Sequence, residues 1–345
     1  MHRGLAVLVA AALLALPWVL HAMLPANQAG FWTGNILGRA LVFGIIAMSL
    51  TFLATYGGFV SLAQLMVAGM AGYAVAVFVD GAVPRIVGGL GYGVAIPLGL
   101  LAATLMGLLV GAISVRTRDI YLLMITLAIS MGVFRFVETN IAWFNGYEGI
   151  RNVVGPDILG TDFRNPWVFY HVALGTAALL FAAVIYLVRS PFGLVLQGIR
   201  DNPRRVAALG YSVGLHRIAA FGVAGFVAGC GGVLATIYNI GISPGSIGLG
   251  PTVNVLIMSV IGGLGHPLGA FIGSLIFTVF DTFAATIYDR DRFNTLIGAV
   301  FLIIVLVSPD GVLGVGARLR RLLGPPPARD SKAVQKQKET SCPSI

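Results

Sequence analysis

Apolar runs of membrane-crossing length recur from the first residues to about position 307, and charges are confined mostly to the gaps between them. A helix needs about 20 mostly apolar residues to cross a hydrocarbon core about 30 Å thick. Lipid offers no water to unpaired amides, so each run must satisfy its own backbone N–H and C=O groups as a helix. Hydrophobic residues make up 57% of the 345 and charged residues 10%, which makes a soluble globular domain a poor description. The expectation is an all-α, polytopic helical membrane protein with about ten transmembrane spans. The windows are 5–24, 36–56, 60–79, 91–115, 120–137, 167–188, 218–240, 251–264, 268–287 and 295–307. Forty-six glycines suit close helix packing in such a bundle, and no internal repeat is evident.

Charge placement orients the bundle. With a cytoplasmic N-terminus, ten crossings put fifteen of the 22 basic residues inside, among them Arg116, Arg118, Arg189, Arg217 and seven in the C-terminal stretch. Eight of the 13 acidic residues fall outside, so the arrangement follows the positive-inside rule with both termini cytoplasmic. The run opening behind Met-His-Arg reads as the first span, because no small-x-small cleavage site follows His21. Window 251–264 is short and reads as a tilted or discontinuous span; removing it would place Arg318, Arg320 and Arg321 outside. Residues 1–323 form one transmembrane domain. Beyond them, 324–345 begins Gly-Pro-Pro-Pro and continues as a Lys, Gln and Ser mixture, the composition of a disordered cytoplasmic tail. The external loop 139–166 carries Trp143, Tyr147, Glu148 and Arg151, and its ordinary reading is a solvated connection.

Several chemistries find no support. The only lysines are Lys332, Lys336 and Lys338, none behind a glycine-rich loop, so the chain has no phosphate cradle of its own. Its five histidines are scattered without metal-ligand spacing, and no Gly-x-Ser-x-Gly elbow occurs, so neither catalytic residues nor a metal site are expected. Cys230 and Cys342 have no evident reason to meet. The net charge of +9 is spread over connecting loops and the tail, which fits membrane topology and a lipid surface and gives no reason to expect nucleic acid. Arg39, Arg135, Glu138 and Asp281 fall near outer span ends, and Arg135 and Glu138 are spaced to pair on one helix face. Span centres lack the ionisable relay of an ion-coupled transporter. A stand-alone channel or secondary transporter and a multipass enzyme are the rivals to a pore driven by a partner's ATP hydrolysis.

One basic segment, 190–217, is held between spans. Within it Pro203 opens Arg204-Arg205-Val206-Ala207-Ala208-Leu209-Gly210, a pattern for a short helix with proline in its first turn and glycine near its end. Such a helix can lie in a partner's cleft with its arginines facing acidic groups at the rim; anchoring at anionic lipid is the plainer alternative.

Five stretches resemble the permeases of branched-chain amino acid ABC importers of the LivM type and their urea and amide relatives. They are Tyr56-Gly-Gly-Phe-Val-Ser-Leu-Ala-Gln64 continuing to Tyr73, Arg116-Thr-Arg-Asp-Ile-Tyr followed by Thr126-Leu-Ala, Asn145-Gly-Tyr-Glu-Gly149, Gly198-Ile-Arg-Asp-Asn-Pro-Arg-Arg-Val-Ala-Ala-Leu-Gly210, and Ile242-Ser-Pro with Leu256 to Gly265. Ala63 and Asp119 stand where that family usually has glycine, and no acidic residue precedes Ala207-Ala208. What the resemblance implies is an ABC importer permease in a bacterial inner membrane. A periplasmic binding protein would deliver a branched-chain or related amino acid, a second permease subunit would complete the pore, and two cytosolic ATPase subunits would bind the ATP and magnesium. The ATPase-coupling loop would comprise Gly198, Arg200, Asp201, Asn202, Arg204, Arg205, Ala207, Ala208 and Gly210. Ser61, Gln64, Thr126 and Asn254, uncharged polar groups in apolar runs, are candidates for the translocation path, although hydrogen bonds between helices account for them equally. Gly265, Gly269 and Gly273 recur every four residues and suit close approach of another helix or, alternatively, a hinge or pore lining.

Overall fold

Most of the apolar windows are helices in the computed structural model, which describes residues 15–18, 21–22, 25–79, 91–117, 119–153, 155, 163, 165–287, 298–299, 311–312 and 314. In chain order these are α1 (Gln28–Gly57), α2 (Gln64–Phe78), α3 (Tyr92–Ser114), α4 (Asp119–Thr139), α5 (Pro166–Arg189), α6 (Pro191–Asp201), α7 (Pro203–Ala208), α8 (Val213–Tyr238), α9 (Leu249–Gly262) and α10 (Pro267–Ile287). Among the described residues α1, α3, α4, α5 and α8 are long and apolar enough to cross a membrane. The pair α9–α10, bent by 116°, makes a sixth if it counts as one span. Windows 5–24 and 295–307, apart from a few helical residues, lie outside the described region, as does the tail 324–345.

Burial ranks the helices. In α1 and α8, 78% and 67% of the apolar window is buried, against 22–28% in α3, α4 and α5, so α1 and α8 form the centre and the other three an outer layer. Lipid tails are as apolar as leucine, so helices here associate by close packing rather than by a hydrophobic drive, and small residues set how near they come. A Cβ placed on Gly232 of α8 would lie 1.9 Å from the Ala68 carbonyl oxygen of α2. On Gly107 of α3 it would lie 2.6 Å from the Phe221 carbonyl oxygen of α8. The tightest crossing joins α9 to α10, where a Cβ on Gly262 would sit 1.7 Å from the Gly269 carbonyl oxygen and one on Gly273 1.8 Å from that of Met258.

The regular spacing of Gly265, Gly269 and Gly273 therefore means two different things. Gly269 and Gly273 pack backbone to backbone against α9, whereas Gly265 sits in the turn between the helices with open space where its Cβ would be. The helix stops because Gly263 takes φ +106°, and Pro267 starts the next one. Window 251–264 is thus one arm of a broken pair, as its length suggested.

Polar groups tie the bundle across long sequence separations. Arg39 of α1 pairs with Asp281 of α10 at 2.9 Å; the expected Arg135–Glu138 pair, local to α4, forms at 2.7 Å. The Ser274 hydroxyl donates to the Ala40 carbonyl at 2.8 Å, and that of Ser259 to the Ala47 carbonyl at 3.3 Å. α1 begins eight residues before its window, at Gln28, because its polar early residues are accommodated: the Thr33 hydroxyl donates to the Ala29 carbonyl at 2.8 Å.

Two connections depart from simple loops. The basic segment folds as two helices, α6 and α7, rather than as a loop with one short helix. The loop 139–166 holds a helical turn, Ile141–Phe144, and the strand β1 (Ile150–Arg151), which pairs antiparallel with β2 (Gly241–Ile242) after α8 in the register Ile150↔Ile242 and Arg151↔Gly241. This ladder pins the loop to the link between α8 and α9.

Candidate functional site

At the basic end, the two prolines start two helices. Pro191 and Pro203 occupy first-turn positions, where a missing N–H costs nothing. Between them Asn202 is extended, φ −156°, and its Oδ1 accepts from the Arg205 backbone N–H at 3.2 Å, capping α7. The far end closes with Gly210 at φ +89°, the Gly210 N–H donating to the Ala207 carbonyl at 3.0 Å and the Tyr211 N–H to the Val206 carbonyl at 3.4 Å. That double return is a Schellman closure, and it needs the left-handed glycine. Val206 is buried beneath α7, and Gly198 of α6 allows the approach, its Cβ position lying 3.1 Å from the Val206 side chain.

What remains on the outer face of α7 is Arg204, Arg205, Ala207, Ala208 and Leu209, all exposed, Leu209 at 76%. This is a small apolar ridge bearing two cations, among the described residues without hydrogen-bond or ion-pair partners for the guanidinium groups. Arg200 is different. Its Nε donates to Asp201 at 3.1 Å, its Nη1 donates to the Thr55 carbonyl at 2.6 Å near the end of α1, and its methylenes lie against Gly58, which takes φ +74°. The Thr55 hydroxyl in turn donates to the carbonyl of Leu264, in the turn between α9 and α10. A continuous polar chain therefore runs from α6 through α1 to the break in the α9–α10 pair. Sequence reading grouped Arg200 with Arg204 and Arg205 and missed Thr55 and Leu264, because contacts 145 and 209 residues apart leave no local pattern.

Ser61, Gln64 and Thr126 lie buried in the helix packing. Ser49 donates its hydroxyl to Gln64 Oε1 at 3.2 Å, the Ala63 N–H donates to the Ser61 hydroxyl at 3.3 Å, and the Leu62 N–H to the Thr126 hydroxyl at 3.2 Å. Asn254 is half-buried on α9. Thr126 meets Leu62, which lies between Ser61 and Gln64, so these three gather at the start of α2 while Asn254 sits apart on α9. None of the four lines the cavity at the C-terminal end of α8, although Leu65, next to Gln64, does.

That cavity, about 650 Å³, opens beside the β1–β2 ladder. Phe43 and Ile46 of α1, Leu65 and Ala68 of α2 and Ile247 form apolar walls, and Glu148, Arg151, Asn152, Asn239, Ser243 and Ser246 bring polar atoms. It follows α8 from Asn239 to Gly232, about 10 Å of helix. Glu148 and Arg151 belong to the loop whose ordinary sequence reading is a solvated connection.

The family described as "Branched-chain amino acid transport system / permease component" matches residues 32–306. A probable branched-chain amino acid transport permease protein LivM of Methanocaldococcus jannaschii is 27% identical over 240 residues, covering 63% of this chain and 67% of that one. The high-affinity branched-chain amino acid transport system permease protein LivM of Escherichia coli is 24% identical over 249 residues, covering 65% and 58%. An autoinducer 2 import system permease protein LsrC of Klebsiella pneumoniae is 28% identical over 245 residues, covering 69% and 64%. The chain thus spans 58–67% of the length of these relatives. No solved structure matches it. With most of its length matched, this multi-pass membrane chain belongs to the family of branched-chain amino acid transport system permease components.

Proposed function

We propose that the chain is one permease subunit of an ATP-driven ABC importer for branched-chain or related amino acids in a bacterial inner membrane. The observation that carries the reading is the exposed, capped helix α7, which presents Arg204, Arg205 and Leu209 from a chain that has no phosphate-binding loop of its own. A periplasmic binding protein delivers substrate at the end of the bundle that holds the cavity. A second permease subunit completes the pore, and two cytosolic ATPases hold ATP and magnesium and grip the coupling helices.

In this mechanism ATP-driven movement of the ATPases displaces α6 and α7. Arg200 transmits the displacement to Thr55, and Thr55 passes it to Leu264, where the chain is already broken between α9 and α10. Ser61, Gln64 and Thr126 hold together the helices that wall the passage, and Asn254 lies on the arm that moves. Replacing Arg200 with alanine is expected to leave ATPase assembly intact and to lower ATP-dependent uptake about tenfold, since a hydrogen bond to a charged group contributes about 1.5–3 kcal/mol. Uptake equal to wild type in the assembled R200A transporter would remove Arg200 from the path.

The similarity to LsrC, a permease of an autoinducer 2 import system, supports a second reading, import of autoinducer 2. Uptake into proteoliposomes that contain both permeases, the ATPases and the binding protein separates the readings. ATP-dependent leucine, isoleucine or valine uptake supports the first, whereas uptake of autoinducer 2 or of urea with no amino acid uptake replaces it. Flux through the chain alone without nucleotide would indicate a channel or secondary transporter.

A further inference from the structure

The cavity beside the β1–β2 ladder has an unusual division of polar labour. Three of its five neutral polar side chains bond to their own backbone, and among the described residues Asn152 and Ser243 do not. The Thr236 hydroxyl donates to the Gly232 carbonyl at 2.9 Å, the Asn239 amide to the Ala235 carbonyl at 2.9 Å, and the Ser246 hydroxyl to the Ser243 carbonyl at 2.7 Å. Glu148 and Arg151, of opposite charge, line the same cavity and make no side-chain hydrogen bond or ion pair among the described residues. The cavity offers a free anion and a free cation beside the apolar side chains of Phe43, Ile46, Leu65 and Ile247.

The backbone that carries the two charges is held in place. Arg151 pairs with Gly241 in the ladder, and the Val153 N–H donates to the Ile240 carbonyl at 3.2 Å. Gly149, between the charges, takes φ +69°, and a Cβ there would lie 2.2 Å from the Ile242 carbonyl oxygen. Ile240, a β-branched residue on the cavity wall, takes φ +55°, and Asn152 takes φ +65°. Left-handed backbone at a β-branched residue is rare, and such strain gathers where a site must be held in one shape.

We propose that this cavity is a substrate subsite within the permease itself and takes a zwitterion with an apolar side chain. Arg151 meets the carboxylate, Glu148 meets the ammonium, and Phe43, Ile46, Leu65 and Ile247 surround the aliphatic group. The volume, about 650 Å³, lies within the usual range for small-molecule sites. This assignment rests on the reading of the chain as an amino acid permease.

Binding of labelled L-leucine to the complete permease–ATPase complex in nanodiscs, without binding protein, tests it. Wild type is expected to bind leucine about ten- to a hundredfold more tightly than leucinamide, which lacks the carboxylate, or 4-methylpentanoate, which lacks the amine. Arg151→Gln should weaken leucine binding by a similar factor while leaving leucinamide unchanged, and Glu148→Gln should do the same with 4-methylpentanoate as the indifferent ligand. Arg151→Lys, which keeps the charge, should retain most of the leucine affinity and serves as the folding control. Leucine imported by the full system but bound equally by wild type and both neutral variants, or not bound by the complex at all, would overturn the subsite and leave the amino acid reading standing. Failure of the wild-type system to import any amino acid would instead overturn the reading on which the subsite rests.

Discussion

Alanine at Gly232 or Gly273 is expected to abolish recovery of folded chain, while alanine at Gly175 leaves it unchanged. The difference lies in what the new methyl group meets. At Gly232 it would lie 1.9 Å from the Ala68 carbonyl oxygen, and at Gly273 1.8 Å from that of Met258, both backbone atoms with no rotamer to give way. Relief requires α8 to withdraw from α2, or α10 from α9, which forfeits the contacts along the whole crossing. Overpacking that side chains can absorb costs about 1–3 kcal/mol, so these two substitutions are expected to exceed about 3 kcal/mol. Gly175, exposed on α5, has nothing within 4 Å of its Cβ position. Monodisperse yield after gentle extraction reads the effect, and normal recovery of the Gly232 and Gly273 variants would mean that these helices are not in contact as described.

Reversing Arg204 and Arg205 together to glutamate is expected to remove the ATPases without unfolding the permease. Both side chains are exposed, and α7 is held by the buried Val206, the Asn202 cap and the Gly210 closure, none of which the reversal touches. Placing acidic groups where a partner offers acidic groups costs several kcal/mol, so ATPase affinity should fall by more than about a hundredfold. Lysine at both positions preserves the charge and should retain assembly. Arg200 is excluded from this test because its guanidinium is already held by Thr55 and Asp201.

How much of this could be read from the chain differs by element. The outer helices α3, α4 and α5 were legible because lipid-facing helices must be long, apolar and continuous, and their windows match their helices to within a few residues. Helix α7 was legible because its start and stop are local chemistry, a proline in the first turn and a glycine at the end. Helix α6 escaped notice because its 11 residues form an amphipathic surface helix, burying Leu196 and Ile199 and leaving Asp201 exposed, too short to register as a span. The Arg135–Glu138 pair was visible at its helical spacing, whereas Arg39–Asp281 joins residues far apart in the chain and could be seen only once α1 met α10. The cavity beside the β1–β2 ladder was hidden for the same reason. Glu148 and Arg151 become neighbours of Phe43 and Leu65 only because a two-residue ladder folds the loop back onto the end of α8.

Affinity purification of the tagged chain from its native membrane asks whether α7 is the handle by which ATPases drive this permease. Wild type is expected to bring down a cytosolic chain carrying a phosphate-binding loop in stoichiometric amount, and the Arg204→Glu, Arg205→Glu double variant, extracted as a monodisperse protein, to bring down none. Recovery of the ATPase in equal amount with the double variant would place the coupling site elsewhere on the chain, and its absence from wild type under the same gentle extraction would contradict the ATP-driven importer itself.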